Sequence, residues 1–261
     1  MKIVVCVKQV PDTTDVKINP ETNTLIREGV ESIINPFDMY AIEEALRIKE
    51  KLNGEVIALS MGPPQAEDAL KEAIALGCDD GILLTDRNFA GADTWATSYT
   101  LARGIKTIGD VDLVICGKQA IDGDTAQVGP GVAEMLNLPC VTYVGNVDKI
   151  DEENIQVRRM MEEGHDVVEA SLPCLLTVVK EINEPRMPSL RGKMKAKKAR
   201  IEKLNAADIA CELDNIGQMG SPTVVEKIFA PPKKEKGEIL KGEPDVTAKK
   251  LVNELSNKGI I

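Results

Sequence analysis

The sequence predicts an α/β fold with a doubly wound, mostly parallel sheet, an added antiparallel portion and an extended C-terminal arm. Up to residue 144, short apolar runs rich in β-branched residues alternate with amphipathic segments in the order β-α-β-α-β-α-β-α-β. This alternation predicts right-handed crossovers and helices on both faces of a parallel sheet. Beyond residue 150 the strand-like runs follow one another without helices, and from residue 183 the regular pattern fails.

Each element of the parallel part has its own sequence signal. The predicted strands are Ile3–Val10, Glu55–Ser60, Gly81–Leu84, Val111–Cys116 and Cys140–Val144. The predicted helices run from Pro36 to Gly54 with Asn35 as cap, from Met61–Pro64 to Leu76, over Asp93–Ile108 and through Val132–Leu136. Outside this part, the expected elements are a hairpin of Val16–Ile18 and Thr24–Ile26, antiparallel strands at Asn154–Met160, Asp166–Ser171 and Cys174–Val179, and helices near Asn205–Ile209 and over Asp245–Asn257.

Composition and charge exclude several classes of function. The chain has 261 residues and a net charge of −10, which argues against a general nucleic-acid binder and against binding to anionic membrane surfaces. It contains no apolar run near the roughly 18 residues that a membrane helix needs. The six cysteines have no Cys-x-x-Cys spacing, and one histidine, His165, cannot form a metal site by itself. These features predict a protein of the reducing cytoplasm without a metal.

The loop from Gly117 to Pro130 is the candidate binding site, because it joins the carboxyl end of a strand to a helix. At such a junction the backbone N–H groups of the loop and the first helical turn are unpaired and can hold a ligand. Asp124 to Gln127 has the pattern of a capping box, although Pro130 requires a helix that starts later or bends. We assign Asp122 and Asp124 to caps or ribose hydroxyls and the phosphates to backbone N–H groups. An ordinary capped turn without a ligand is an equal alternative on these residues alone.

The chain beyond residue 185 has the composition of an interaction segment. Ser189–Arg200 is a charged run, expected mainly as a solvated face, in which Leu190 and Met194 are the apolar residues that could enter a partner's pocket. Residues 211–243 are rich in proline and glycine, and we interpret them as an arm lying on another subunit. A disordered linker is the alternative, but it would expose Val224, Val225, Ile228 and Phe229. The predicted division is therefore a nucleotide-binding domain at 1–185 and a partner-binding portion at 186–261.

Six short segments carry a family resemblance: Val7–Lys8, Asn35–Asp38, Met61–Pro63, Gly117–Asp122, Asn183–Arg186 and Met194–Lys198. In order and spacing they resemble the beta subunit of electron transfer flavoprotein, from residue 1 to beyond residue 200. The resemblance implies a heterodimer with an alpha subunit that carries the redox FAD, and an adenine nucleotide in the beta subunit. It places the cofactor contacts on Cys6, Asn35, Pro36, Phe37, Asp38, Met61, Gly117, Lys118, Gln119, Ala120, Ile121, Asp122, Gly123, Asp124, Thr125, Ala126, Gln127 and Val128. It also implies that Leu190 docks into acyl-CoA dehydrogenase partners and that the C-terminal arm wraps the alpha subunit.

Two subclasses of that family differ in what this site holds. Ordinary members hold AMP and pass single electrons onward, whereas bifurcating members hold a second FAD, oxidise NADH and split its electrons. The segments 35–40 and 121–130 resemble the bifurcating pattern, in which Gly123 leaves room for a pyrophosphate and Asp38 lies near the flavin. The low-potential acceptor would be a ferredoxin or flavodoxin, and the other an acyl-CoA or enoyl-CoA dehydrogenase or reductase. No residue is assigned a catalytic role, and Tyr40 is equally compatible with plain packing. A nucleotide-binding regulatory domain without redox function is a further alternative, which the C-terminal arm disfavours.

Overall fold

The computed structural model describes residues 1–12, 32–226, 237 and 239–261. These residues form two compact units, Met1–Glu226 and Lys227–Ile261. The hairpin predicted at Val16–Ile18 and Thr24–Ile26 lies outside the described residues.

The first unit is built around a sheet that, within the described ranges, has nine strands, beside a second sheet of two short strands. The strands are β1 (Lys2–Cys6), β2 (Gln9–Pro11), β3 (Ser32–Ile34), β4 (Glu55–Met61), β5 (Asp80–Leu84), β6 (Leu113–Gly117), β7 (Cys140–Ile150), β8 (Asn154–Met161), β9 (Gly164–Ser171), β10 (Cys174–Val178) and β11 (Glu202–Leu204). The helices of this unit are α1 (Pro36–Leu52), α2 (Glu67–Leu76), α3 (Thr94–Ile108), α4 (Val128–Leu136) and α5 (Leu190–Lys198).

The large sheet has the order β11-β5-β4-β1-β6-β10-β7-β8-β9. All neighbours from β11 to β7 pair in parallel, and β8 and β9 continue the sheet as an antiparallel hairpin. The doubly wound, mostly parallel fold with an antiparallel addition is therefore confirmed. From β1 the chain winds outward to β4 and β5, and it then returns to the other side of β1 to form β6. The strand order thus reverses between β1 and β6.

Helices cover both faces of the sheet, and the alternation of side chains along β1 shows how. Ile3 and Val5 belong to the core cluster that contains the buried residues of α1 and α2. Val4 and Cys6 belong to the opposite cluster, which contains the buried residues of α3 and α4. All four side chains are at most 9 % exposed, as expected for a parallel strand covered on both faces.

The first predicted strand, Ile3–Val10, is wrong in its length. The strand ends at Cys6, and Gln9–Pro11 forms β2, which pairs antiparallel with β3. The break occurs because Lys8 makes its backbone hydrogen bonds elsewhere. Its N–H donates to the Asp38 carboxylate and its carbonyl accepts from the N–H of Asn35, both at 2.8 Å.

The expectations for the second half of the sheet need three corrections. The strand predicted at Cys174–Val179 is not antiparallel, because β10 lies between β6 and β7 and pairs in parallel with both. Its five residues are all buried, which is typical of a central parallel strand. A strand that we did not predict, β11, extends the sheet beyond β5. The segment predicted as a helix near Asn205–Ile209 forms turns instead.

In the second unit, the described residues contain one helix, α6 (Pro244–Asn257), which confirms the prediction of a helix at Asp245–Asn257. Along it Val246, Leu251 and Val252 are each about half exposed, at 51 %, 49 % and 51 %. Across the described parts of the chain, we find no helix with the length and apolarity that a membrane crossing needs.

Candidate functional site

A cleft of about 610 Å³ lies at the carboxyl ends of β1, β4 and β6, where the strand order reverses. The chain leaves β1 toward α1 on one face of the sheet and leaves β6 toward α4 on the other. This divergence opens a crevice beyond the strand ends, which is the usual ligand position in doubly wound sheets. The cleft extends from the loop after β6 to the first turn of α3.

Most of the residues predicted to bind a cofactor come together in this cleft. Its lining includes Cys6, Asp38, Met61, Gly117, Lys118, Gln119, Ala120, Asp122, Gly123, Asp124, Thr125, Ala126, Gln127 and Val128. Asn35, Pro36, Phe37 and Ile121 are not part of the lining that the described residues form. Ile121 is 46 % exposed, whereas Asn35 is buried and acts on the cleft through its neighbours.

The start of α1 is tied to the loop after β6 by Asn35. Pro36 occupies the first helical position as predicted, but the side chain of Asn35 makes no capping bond to the helix backbone. Its amide group instead donates to Asp38 and to the carbonyl of Gln119, both at 2.9 Å, and its oxygen accepts from the N–H of Ile121 at 3.1 Å. Asn35 therefore shapes the predicted binding loop rather than capping the helix.

Asp38 is a buried carboxylate in the wall of the cleft, with 6 % of its surface exposed. Burial raises its pKa to about 7, while hydrogen bonds from Asn35 and from the backbone N–H groups of Lys8 and Gly117 oppose this shift. The group consequently titrates near neutral pH, because desolvation outweighs the three donors.

Gly117 is the point of closest contact between β6 and α1. A Cβ atom at this position would lie 2.7 Å from the carbonyl carbon of Phe37 and would overlap the Asp38 carboxylate. The backbone of β6 can approach the start of α1 only because the residue there has no side chain. Gly123 differs, because a Cβ there would meet nothing within 4 Å.

The two aspartates of the loop are held by protein groups. Asp122 forms an ion pair with Lys8, with its two oxygens 2.7 and 2.9 Å from Nζ, and Asp124 accepts a hydrogen bond from the Gln119 side chain. The predicted capping box at Asp124–Gln127 is wrong. Asp124 has a left-handed backbone with φ 55°, and α4 begins only at Val128, so that Pro130 falls in its first turn.

Backbone donors are concentrated where the loop enters α4. The N–H groups of Thr125 through Gly129 donate to no acceptor within the described residues, and the first N–H engaged after them is that of Gly131, which donates to the carbonyl of Gln127. All five of these residues line the cleft. Unpaired N–H groups at the positive end of a helix dipole form a site for a phosphate or another anion.

The first turn of α3 belongs to the cleft and was missed by the sequence reasoning. Asp93, Thr94 and Thr97 line it, together with Thr223 from a distant part of the chain. A signal was present, because Asp93-Thr94 follows the carboxyl end of β5 as a helix start, just as Asn35-Pro36 follows β3. The contribution of Thr223 had no sequence signal.

The predicted partner-binding residues lie on α5, away from the cleft. This helix packs on α2 through Gly192, where a Cβ would overlap the carbonyl of Ala75, and through the buried Ala196. Leu190 is 83 % and Met194 64 % exposed. Their role in partner docking stays a prediction.

The segment before α5 is clamped to α1. Arg186 donates to Glu43 at 2.8 and 3.1 Å and to Glu50 at 2.5 and 3.3 Å, while Asn183 donates to Glu44 at 3.0 Å. The clamp fixes where α5 begins relative to α1.

Comparison with known proteins identifies the family of the chain. The electron transfer flavoprotein domain matches residues 22–209. Subunit CarD of the caffeyl-CoA reductase-Etf complex of Acetobacterium woodii is 52 % identical over 263 residues, covering 100 % of both chains. The electron transfer flavoprotein subunit beta of Thermoanaerobacterium thermosaccharolyticum is 49 % identical, also over 100 % of both. The chain belongs to the electron transfer flavoprotein beta-subunit family. Protein FixA of Sinorhizobium fredii, 45 % identical over 98 % of this chain and 92 % of its own, is similar to this flavoprotein subunit as well.

Substituting Gly117 tests the close contact between β6 and α1. Gly117→Ala is expected to lower the free energy of unfolding by about 1–3 kcal/mol, because the new methyl group meets backbone that has little room to move. Gly123→Ala is the matched control and should leave stability unchanged or raise it by up to about 1 kcal/mol. Urea unfolding of both variants measures the difference. Equal stability of the two variants would contradict the packing described here.

Asp38 is expected to make stability depend on pH. Between the ordinary pKa of 3.8 and about 7, the folded protein keeps a proton on Asp38 that the unfolded chain has released. The native state then binds more protons, so the contribution of Asp38 falls by about 1.4 kcal/mol per pH unit as pH rises through this window. Asp38→Asn removes the titrating group. The stability difference between wild type and variant, measured from about pH 5 to about pH 7, should therefore change; a constant difference would show an ordinary pKa.

Proposed function

We propose that this chain is the beta subunit of a bifurcating electron transfer flavoprotein and holds FAD in the cleft between β1 and β6. The residues from Gly117 to Val128 would hold this FAD, which would supply the hydride chemistry needed to oxidise NADH and the one-electron chemistry needed to divide its two electrons. The acceptors would be a low-potential protein of the ferredoxin or flavodoxin type and, by way of the FAD of the alpha subunit, an acyl-CoA or enoyl-CoA dehydrogenase or reductase. Family membership supports the coarser part, a beta subunit in an electron transfer flavoprotein complex.

The observation that carries the proposal is the row of N–H groups from Thr125 to Gly129 at the start of α4, which have no acceptor among the residues that the structure describes. A diphosphate needs several donors that converge without a competing carboxylate. Of the two nearby aspartates, Asp122 is neutralised by Lys8, and one carboxylate oxygen of Asp124 already accepts a hydrogen bond from Gln119. The residues present therefore fit a nucleotide with its phosphates on main-chain N–H groups.

The other end of the cleft fits a flavin ring. Its floor at the strand ends is apolar and consists of Cys6, Met61 and Cys116. Asp38 adds a carboxyl group whose charge changes near pH 7. When bound, FAD supplies the hydride and one-electron chemistry, and the protein supplies binding, orientation and electrostatics. An ionised Asp38 would disfavour added negative charge on a nearby ring, whereas a protonated Asp38 would not.

The bifurcating subclass rests on similarity as well as on the cleft. Similarity to a subunit of the caffeyl-CoA reductase-Etf complex extends over the whole chain. Gly123 also leaves open space beside the N–H row, which a cofactor larger than AMP can use. We further propose that the domain at 1–185 binds the nucleotide, with Thr223 and Val225 as cleft-lining residues from outside it. In this proposal Leu190, Met194 and the remainder of 186–261 serve the partners, and the complex is cytoplasmic. The six unpaired cysteines agree with a reducing compartment.

Cofactor stoichiometry tests the function. The beta subunit is co-purified with its alpha partner, the visible spectrum is recorded, and the nucleotides released on denaturation are identified. We expect two FAD per heterodimer. One FAD together with one AMP would replace the proposal by the non-bifurcating alternative, and a complex without flavin would favour a regulatory domain.

Gly123→Leu tests where the nucleotide lies. The leucine side chain has space in the protein but would project into the region assigned to the pyrophosphate, so we expect lower nucleotide occupancy with the fold intact. Ala207→Leu introduces the same side chain at an exposed turn outside the cleft lining and serves as control. Occupancy is measured as nucleotide released per heterodimer. Wild-type occupancy in Gly123→Leu would remove the loop from the cofactor site.

A further inference from the structure

Residues 217–225, which we call the strap, cross the start of α3 at one side of the cleft. The N–H of Gln218 donates to the carbonyl of Ala90 at 3.0 Å. The Ser221 hydroxyl accepts from the N–H of Asp93 at 2.8 Å and donates to the carbonyl of Gly217 at 2.6 Å. The strap is therefore joined to the loop before α3 by bonds between segments about 130 residues apart in sequence.

The carboxylate of Asp93 holds both the helix and the strap. Its Oδ1 caps α3 by accepting from the N–H groups of Trp95 and Ala96 at 2.9 and 3.1 Å. Its Oδ2 accepts from the N–H and the hydroxyl of Thr223 at 3.0 and 2.8 Å. Helix caps need only one oxygen, so the second oxygen is available for the strap.

Two glycines make the approach of the strap possible. Gly91 has φ 75°, and a Cβ there would lie 3.1 Å from the Cβ of Gln218. Gly217 has φ 55°, and a Cβ there would overlap the carbonyl of Asn88. Both backbones favour glycine; Gly217 leaves no room for a side chain, and at Gly91 a side chain would be in tight contact with Gln218. The junction is a packed contact built into the first unit.

The strap forms part of the cleft wall and has little apolar packing. Thr223 and Val225 line the cleft beside Thr94 and Thr97 of α3. Val224 is 69 % and Val225 75 % exposed, so this part of the strap has little apolar packing to hold it. A segment with few buried contacts opens at low free-energy cost, and its polar anchors then control the opening.

We propose that the strap retains the nucleotide, and that Asp93 and Thr223 are positioning residues that slow its release. This rests on the proposed function in one respect, that the cleft holds an adenine nucleotide, and it holds for FAD and for AMP alike. The strap closes the α3 side of the cleft. Its three hydrogen bonds to Asp93, two to the carboxylate and one from the backbone N–H, must break before that side opens. Loss of the hydroxyl bond of Thr223 should therefore speed release without altering the contacts of the loop after β6.

The test uses the purified heterodimer with its alpha partner, loaded with whichever nucleotide it retains, FAD or AMP. The rate of nucleotide release is measured after dilution. We expect Thr223→Val to release the nucleotide about two- to tenfold faster, since it loses one hydrogen bond. Thr107→Val removes a hydroxyl from an exposed position at the far end of α3 and should release at the wild-type rate. Hydrogen exchange should rise at 218–225 in Thr223→Val and stay unchanged in β1 and β6, which excludes general unfolding.

Each outcome separates the two proposals. If the bound nucleotide is AMP and Thr223→Val releases it faster than the wild type, the proposal for the strap is supported and FAD is removed from the proposed function. If Thr223→Val releases the nucleotide at the wild-type rate, the proposal for the strap is overturned and the proposed function stays in place. The same holds if Thr223→Val and Thr107→Val accelerate release equally. A heterodimer that retains neither nucleotide overturns both.

Discussion

The structure depends on the junction at Asp38, where three segments distant in sequence meet. The N–H of Lys8 after β1, the Asn35 amide before α1 and the backbone N–H of Gly117 at the end of β6 all converge on this one buried carboxylate. A buried carboxylate tolerates such a place only when donors surround it. The junction fixes the angle at which the chain leaves β1 and β6, and Asn35 extends it to Gln119 and Ile121. The position of the whole candidate site follows from it.

The cleft offers backbone dipoles rather than a cationic field. The chain carries a net charge of −10, and Lys8 is already paired with Asp122. The other lysine of the cleft lining, Lys118, has its Nζ 5.1 Å from the centre of the Tyr143 ring. An anionic cofactor would therefore be held at short range by N–H groups, whose effect is confined to the first turn of a helix. Such binding depends on geometry, so a displaced loop would lose affinity even if every charged side chain remained. The close packing at Gly117, which lines the cleft, and the hydrogen bonds of Asn35, which does not, therefore both matter for the position of the loop.

Local sequence signals predicted those strands and helices whose position depends on local burial and local backbone geometry. Apolar runs located β4, β5 and β6 within one or two residues, and Pro36 located the start of α1, because burial and backbone geometry act locally there. The break after Cys6 could not be predicted, since Val7 and Val10 continue the apolar pattern while Asp38 takes the N–H of Lys8 from a distance of 30 residues. The direction of β10 was predicted wrongly although its nearly continuous apolar run is typical of a central parallel strand, because it follows the two strands of an antiparallel hairpin in sequence. Most of the candidate cleft lies at strand ends and was found, whereas Thr223 depends on a contact across 130 residues.

One helix connects the cleft with the surface predicted for partner docking. The first turn of α1 carries Asp38 in the cleft wall, and later turns carry Glu43 and Glu50, which bind Arg186 just before α5. Glu43 is largely buried, so its pair with Arg186 is shielded from solvent and geometrically fixed, unlike an isolated surface ion pair. From Asp38 to Glu50 the helix spans about 18 Å at 1.5 Å per residue. A rigid helix therefore sets the separation between the cleft and the exposed Leu190. Because electron transfer slows steeply with distance, a fixed separation serves the proposed function better than a flexible linker at this place would.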